Sequence, residues 1–166
     1  MQSRLSAAYK GLIALLMKAG SNDFLSGDPI EITTYFDLAI DIHHIFPKSY
    51  CENRYKRSLW NSSVNKAPLS AKTNRIIGGK APSYYLANIE KQNNIEKTRF
   101  DEILKTHKIS PSILRSDAFE EFIRDRASSL LNLIEGATGK KVSGRDSDEV
   151  IHEYGAELRA SEQTNW

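Results

Sequence analysis

Two adjacent histidines, His43 and His44, are the residues of this chain whose type and spacing best suit chemistry. Histidine titrates near neutral pH, so His44 can take a proton from water, while a neutral ring nitrogen of His43 can bind a metal ion. Asn65 and Asn74 follow downstream, and the carboxamide oxygen of Asn74 can be a second metal ligand. A base and a divalent cation together can hydrolyse a phosphodiester. The set therefore predicts a metal-dependent phosphodiesterase site.

These residues need a particular order of elements if they are to meet. Residues 39–43 alternate as in a short strand, and Pro47 ends regular structure soon afterwards. Residues 64–69 are the predicted partner strand, restricted to an edge by an internal proline. Residues 71–77 are a predicted short helix, stopped by a pair of glycines. The expected order is strand, loop, strand, short helix.

The histidine pair raises a geometric problem. Adjacent residues of a regular strand point to opposite faces, so His43 and His44 can serve one site only if the chain leaves β geometry near His44. Pro47 is placed to force that departure. Asn65 lies on the returning strand, where its amide is predicted to hydrogen-bond the backbone of the intervening loop and hold His44 in position.

Positive charge collects around this motif. Residues 48–80 contain eight Lys and Arg residues and a single Glu, a net charge of +7, so the remainder of the chain carries −5 to give the total of +2. This asymmetry suits a protein that handles a polyanion. Lys72, Arg75 and Lys80 bracket the motif and are the predicted phosphate contacts, Arg75 through its planar guanidinium. The alternative for these three is solvated surface.

The motif resembles a known family of nucleases. The set His44, Asn65 and Asn74, in a strand, loop, strand, helix order, is similar to an HNH (ββα-metal) nuclease. The flanking residues 41–47 and 68–86 resemble the C-terminal nuclease part of GmrSD-type restriction proteins. Those proteins are bacterial defence enzymes that cut modified phage DNA.

The resemblance implies a role for each motif residue. His44 is implied to be the general base, and His43 and Asn74 the metal ligands. Asn65 is implied to be the central residue that holds the loop, and Asp41 a supporting carboxylate at the metal site. The first ligand is His where the family has Asp, and the last is Asn where it has His. The expected cofactor is therefore one divalent ion, Mg²⁺ or Mn²⁺ first, with Ni²⁺ or Zn²⁺ as alternatives.

The same resemblance implies partners and a cellular role. The expected activity is an endodeoxyribonuclease that acts on DNA in the bacterial cytoplasm, in restriction of modified foreign DNA. Family members usually carry an N-terminal nucleotide-binding and modification-sensing domain, so such a domain or subunit is an expected partner. A homodimer is a further expectation, because many nucleases dimerise to cut both strands.

The rest of the chain predicts an α+β domain in which a ββα-metal element is embedded among helices. The predicted division is a nuclease domain at 1–141, with a core motif at 39–80 and a helical remainder at 82–136, then a linker and amphipathic helix at 142–166.

Three local patterns add detail to the helical parts. Residues 6–19 predict an amphipathic helix. Asp117 with Glu120 predicts a capping box that opens a longer helix, and residues 136–147 read as a linker. His107, near a predicted helix end, would suit the dipole there as a cation.

The single cysteine and the hydropathy of the sequence exclude several classes of protein. Cys51 is the single cysteine, which excludes a disulfide scaffold and a Cys-based zinc site and favours an intracellular protein. No stretch approaches the length of a membrane span, so no membrane partner is expected. Of Tyr84 and Tyr85, one is expected in the core, and either could stack on bases. Two rival functions stay open: an RNA-cleaving toxin, and a catalytically inactive DNA-binding module with a structural metal.

Overall fold

The structure, a computed structural model, describes residues 7–30 and 41–159 of the 166-residue chain. Within those ranges the chain is mostly helical and contains a two-stranded antiparallel sheet. The predicted α+β class is confirmed at this level. The elements in chain order are α1 (Ala7–Lys18), β1 (Asp41–His44), α2 (Lys48–Cys51), α3 (Arg57–Trp60), a 3₁₀ turn (Ser63–Asn65), β2 (Lys66–Leu69), α4 (Ala71–Ile77), α5 (Pro82–Asn93), α6 (Lys97–Thr106), α7 (Pro111–Arg115), α8 (Phe119–Thr138) and α9 (Asp148–Tyr154).

The sheet pairs β1 with β2 in an antiparallel register that matches Asp41 to Leu69 and His44 to Lys66. The first strand was predicted at 39–43 and is found at 41–44, with residues 39 and 40 outside the described ranges. The second begins at Lys66 because the three preceding residues form the 3₁₀ turn. Regular strand geometry ends only after His44, before Pro47; His43 and His44 are both paired in the sheet, so their service of one site stays a prediction.

Helix α4 follows β2 directly and has the predicted bounds. Ser70 caps its start, where its Oγ accepts a hydrogen bond from the Thr73 backbone N at 3.2 Å. Gly78 ends the helix with a φ of 53°, in the left-handed region that glycine tolerates best. The order strand, loop, strand, short helix is therefore present.

The core holds the loop between β1 and β2 against the helical half of the chain. Phe46, two residues beyond β1, is fully buried, and its ring lies 5.2 Å from that of Phe119 and 5.0 Å from that of Phe122, centroid to centroid. A second cluster packs the apolar stripe of α1 against Leu130 of α8. The loop that follows His44 is thus fixed by packing on α8.

The start of α8 differs from the predicted capping box. The capping box of Asp117 and Glu120 is wrong, because the residue before the helix is Ala118 and no side chain caps it. Asp117 has a φ of 58°, and its carboxylate accepts hydrogen bonds from the backbone N and the Oγ of Ser83, at 2.8 and 2.6 Å. The carboxylate therefore caps α5 and leaves its own helix uncapped.

The end of α8 also differs from the prediction. The linker predicted from residue 136 begins later, because α8 continues through Gly136 to Thr138. Arg145 then donates hydrogen bonds to Asn132 Oδ1 at 2.8 Å and to the carbonyl oxygen of Leu158 at 2.5 Å. The segment after α8 is thus held against it by Arg145.

No helix in the described ranges combines the length and the apolar character needed to cross a membrane.

His107, the residue after α6, is a neutral residue of the core. Its side chain is fully buried, and Nε2 donates a hydrogen bond to the carbonyl oxygen of Asn22 at 2.7 Å. Burial lowers the pKa of His107 to about 4, and the nearby charge of Arg126 acts in the same direction. The expectation of a cationic His107 at the helix dipole is therefore wrong, because burial outweighs the dipole.

We expect this histidine to make the fold sensitive to acid. Because the pKa of His107 is about 4 in the folded chain and near 6.5 when unfolded, the unfolded state binds more protons between these values. The free energy of unfolding should therefore fall by about 3 kcal/mol as the pH drops from 6.5 to 4. Urea unfolding at several pH values measures this slope.

His107→Gln is the matched variant, because it removes the titration and keeps an N–H donor for the Asn22 carbonyl. We expect a shallower pH dependence of stability in this variant. An identical slope in the two proteins would contradict the assignment to His107.

Candidate functional site

His44 lies at the end of β1 with its ring held by a side chain from the loop. Its Nε2 is 3.2 Å from Asn61 Oδ1, and its ring centroid is 5.8 Å from that of Trp60. With Asn61 Oδ1 as the acceptor, the contact fits a ring protonated at Nε2. In that tautomer Nδ1 carries the lone pair that a general base uses.

Asn65 clamps the backbone directly after His44. The residue is fully buried; its Oδ1 accepts from the Phe46 N at 2.9 Å, and its Nδ2 donates to the carbonyl oxygens of Phe46 and Trp60 at 2.9 and 2.8 Å. Its own carbonyl oxygen accepts from the Ile45 N at 2.9 Å. The predicted bonding of the Asn65 amide to the loop backbone is therefore present, while its catalytic importance stays a prediction.

The same clamp positions the partner of His44. Asn61 directly follows Trp60, whose carbonyl oxygen is held by Asn65, so one carboxamide fixes the backbone on both sides of the His44–Asn61 contact. Sequence reasoning chose Asn65 and missed Asn61, four residues earlier in the same loop. The sequence feature that could have indicated Asn61 is a second carboxamide four residues before Asn65.

Tyr85 of α5 also bonds to this backbone. Its hydroxyl donates to the carbonyl oxygen of Ile45 at 3.0 Å, and its side chain is fully buried. Burial raises the pKa of Tyr85 well above its ordinary value, so the phenol stays protonated and keeps donating. The residue after His44 is thus fixed from Asn65 and from α5.

Arg126 is a positioning residue that sequence reasoning missed. The side chain is fully buried in α8; its Nη1 donates to the carbonyl oxygens of Val64 and Lys66, and its Nε donates to that of His107 at 3.1 Å. Burial lowers the pKa of Arg126 to about 9, so it is still a cation at neutral pH. Lys66 is the sheet partner of His44, so Arg126 fixes the strand opposite His44. The sequence feature that could have indicated this role is a charged residue within the apolar stripe of α8.

Asp23 anchors the start of α4. The residue is 6% exposed, and its carboxylate accepts from the Ser70 N at 2.8 Å and from the Thr73 Oγ1 at 2.8 Å. Burial raises the pKa of Asp23, but hydrogen bonds led by that from Ser70 outweigh it, and the pKa is lowered overall. Because Asn74 follows Thr73 in the chain, Asp23 fixes the helix turn that carries it.

The predicted metal ligands lie on β1 and α4. His43 is half-buried opposite Ala67 in the sheet, and Asn74 is half-buried in α4. The side chain of Asp41 falls outside the described part of the structure. Among the described residues, no group of three or more His, Cys, Asp or Glu side chains could hold a metal ion. That His43 and Asn74 meet at one cation stays a prediction.

The chemistry of this pair fits some metal sites better than others. One imidazole nitrogen and one carboxamide oxygen leave positions for water and phosphate, which suits a divalent catalytic cation. A closed structural zinc site uses four nitrogen or sulfur ligands, and the pair of His43 and Asn74 does not provide that set. Cys51 adds nothing here, because it is buried and burial raises its thiol pKa to about 12.

The predicted phosphate contacts all lie at the surface. Lys72 and Arg75 are exposed on α4, and Lys80 is exposed on the turn after it. Within residues 7–30 and 41–159, none of the three forms an ion pair. No carboxylate of the described residues neutralises these cationic groups, and contact with a phosphate stays a prediction.

Other cations of the basic segment are already used within the chain. Lys56 Nζ lies 3.7 Å from the carboxylate of Glu153, which lies outside this segment. Lys66 is buried, with its Nζ 5.8 Å from the ring centroid of Tyr9. The +7 of this segment therefore overstates the charge that a ligand would meet.

The chain is similar to a known protein. An uncharacterized protein of Methanocaldococcus jannaschii is 31% identical over 132 residues, which is 78% of this chain and 22% of that protein. The chain thus spans about a fifth of the length of the relative it matches. No protein-family model matches the chain, and no solved structure matches it.

Proposed function

We propose that this chain is a metal-dependent endonuclease of the HNH type that hydrolyses DNA phosphodiester bonds. The observation that carries the proposal is the arrangement around His44. Its ring is held by Asn61 at the end of β1, and the backbone after it is clamped by Asn65. His44 ends β1, Asn65 directly precedes β2, and the short helix α4 follows β2. This is the order of elements that the resemblance to the family implies.

The side chains support a general-base role for His44. With Nε2–H directed at Asn61 Oδ1, Nδ1 takes a proton from a water molecule, and the oxygen of that water attacks phosphorus in line with the leaving 3′ oxygen. The bond from phosphorus to the 3′ oxygen breaks, and the 3′ oxygen takes a proton from solvent water, which gives 5′-phosphate and 3′-hydroxyl ends. The Asn61 oxygen also favours the imidazolium that forms. When bound at His43 and Asn74, a divalent ion supplies positive charge for the transition state and the leaving oxygen.

The proposed substrate and setting follow from charge and resemblance. The exposed cations Lys72, Arg75 and Lys80 lie on and just beyond α4, the helix that carries Asn74, and would contact phosphates on either side of the cleaved bond. We assign the chain to restriction of modified foreign DNA in the bacterial cytoplasm. It would act with a nucleotide-binding and modification-sensing domain or subunit, or as a homodimer.

Nicking of supercoiled plasmid tests the proposal. The chain is incubated with Mg²⁺, Mn²⁺, Ni²⁺ or Zn²⁺, alone and with chelator, and a labelled RNA of matched length is digested in parallel. We expect nicked plasmid with at least one metal, first Mg²⁺ or Mn²⁺, and intact plasmid with chelator. Cleavage of the RNA alone would replace the DNA assignment with the toxin alternative. Intact plasmid and RNA with every metal would overturn the nuclease proposal.

A further inference from the structure

Tyr84 presents an aromatic ring to solvent beside the proposed active site. The residue is 61% exposed, on the first turn of α5, while its neighbour Tyr85 is fully buried. The core member of this pair is therefore Tyr85, as expected for one of the two. A single exposed aromatic residue is common on protein surfaces, so its surroundings decide whether it binds anything.

The surroundings of Tyr84 are cationic. Lys80 Nζ lies 5.7 Å from the centroid of the Tyr84 ring. On α4, Lys72 and Arg75 are exposed at a spacing of three residues, which puts them on neighbouring parts of one helix face, and α4 contains no acidic residue. One carboxylate, that of Asp117, also lies at the start of α5, where it accepts hydrogen bonds from Ser83, so the three cations outnumber it. An aromatic ring among cations is complementary to a base with its phosphates.

The turn that carries Lys80 packs close to the backbone of the proposed site. Gly79 has a φ of 93°, its carbonyl oxygen accepts from Ser49 Oγ at 3.2 Å, and a Cβ added at Gly79 would lie 2.6 Å from that Oγ. Ser49 belongs to α2 and follows His44 by five residues, a distance that even an extended chain spans in at most about 18 Å. Tyr85, the residue next to Tyr84, donates to the carbonyl oxygen of Ile45, directly after His44, at 3.0 Å, so the start of α5 also lies near the backbone of the proposed site.

We propose that Tyr84 and Lys80 form a subsite for one unpaired base of the nucleic-acid substrate. The ring stacks on the base, and the ammonium group of Lys80 contacts the adjacent phosphate. A base inside a duplex has both faces covered by its neighbours, so the subsite takes a base that is flipped out, bulged or single-stranded. This inference rests on the proposed nuclease function and adds a preference for substrates with unpaired bases near the cut.

Two variants of Tyr84 separate stacking from simple surface contact. Tyr84→Phe keeps the ring, and Tyr84→Leu keeps apolar bulk without it. Affinity is measured by fluorescence anisotropy in a His44→Ala background, with labelled single-stranded DNA, single-stranded RNA, a blunt duplex and a duplex with one bulged base. We expect Tyr84→Leu to weaken binding to the single strand and the bulged duplex roughly tenfold, Tyr84→Phe by less than about twofold, and the blunt duplex to be unaffected by either.

Lys80→Gln tests the second half of the subsite. If Lys80 contacts a phosphate, the slope of log affinity against log salt concentration should fall by about one for single-stranded DNA. Because Tyr84 and Lys80 are both exposed, all three variants should keep the thermal stability of the parent. An unchanged salt slope would remove Lys80 from the subsite.

The outcomes distinguish this inference from the proposed function. Equal binding by the Phe and Leu variants, while the unmodified chain still nicks plasmid, would overturn the subsite alone. Absence of cleavage with every metal, together with ring-dependent binding of unpaired bases, would overturn the nuclease and leave a base-binding surface. Ring-dependent binding with active cleavage is the result that both proposals predict.

Discussion

His44→Ala should lower the rate of DNA cleavage roughly 10²- to 10⁴-fold while leaving DNA affinity nearly unchanged. The imidazole is expected to remove a proton from water, and alanine offers no group that can do so. The side chain is half-buried and contacts Asn61 and Trp60 at the end of a strand, so its removal leaves the clamp at Asn65 intact. Single-turnover cleavage of labelled DNA measures the rate, and anisotropy measures affinity.

His152→Ala is the matched control for this variant. His152 is exposed on α9, and its backbone oxygen, which Lys56 contacts, is retained in the alanine variant. We expect wild-type cleavage from His152→Ala. Turnover by His44→Ala close to that of the control would refute the assignment of His44 as the base.

Asn65→Ala should destabilise the fold by about 3–5 kcal/mol. The change removes the partner of three buried backbone groups: the N and O of Phe46 and the O of Trp60. A buried polar group without a partner costs about 1–3 kcal/mol, and the packed loop has little room for water to replace the amide. Urea unfolding measures the loss, and the melting temperature should fall by roughly 10 °C.

Asn61→Ala makes the same chemical change four residues earlier and should affect catalysis instead. Asn61 is half-buried, and its Oδ1 contacts the ring of His44. We expect a stability loss below about 1 kcal/mol and a fall in kcat of roughly 10- to 100-fold. Asn61→Asp should raise the pKa of His44, because a carboxylate favours the imidazolium, and should move the acid limb of the pH–rate profile upward. Equal stability losses in the two alanine variants, with unchanged pH profiles, would contradict these separate roles.

Features that depend on local chemistry were predictable from the sequence. Helix α4 has the predicted bounds because Ser70 and Gly78 cap it within the segment itself. Asn65 bonds the loop backbone as predicted, because a carboxamide inside an apolar run has few other partners. The capping box at Asp117 failed because its carboxylate binds Ser83, 34 residues away.

Contacts between distant segments were not predictable in this way. Asp23 reaches Ser70 across 47 residues, and no local pattern indicates that pairing. His107 is neutral because three-dimensional packing buries it, whereas its neighbours in sequence indicated only a helix end. Arg126 occupies a core position of α8 and binds carbonyl oxygens beside β2, a role visible only when both elements are in place.

Binding of Mn²⁺ to the purified chain, followed by electron paramagnetic resonance, would examine the metal site without relying on turnover. We predict one bound ion per chain with coupling to one imidazole nitrogen, lost in His43→Ala and in Asn74→Ala and retained in His152→Ala. Binding that is unchanged in the first two variants, or no binding up to millimolar Mn²⁺, would contradict a catalytic cation held by β1 and α4.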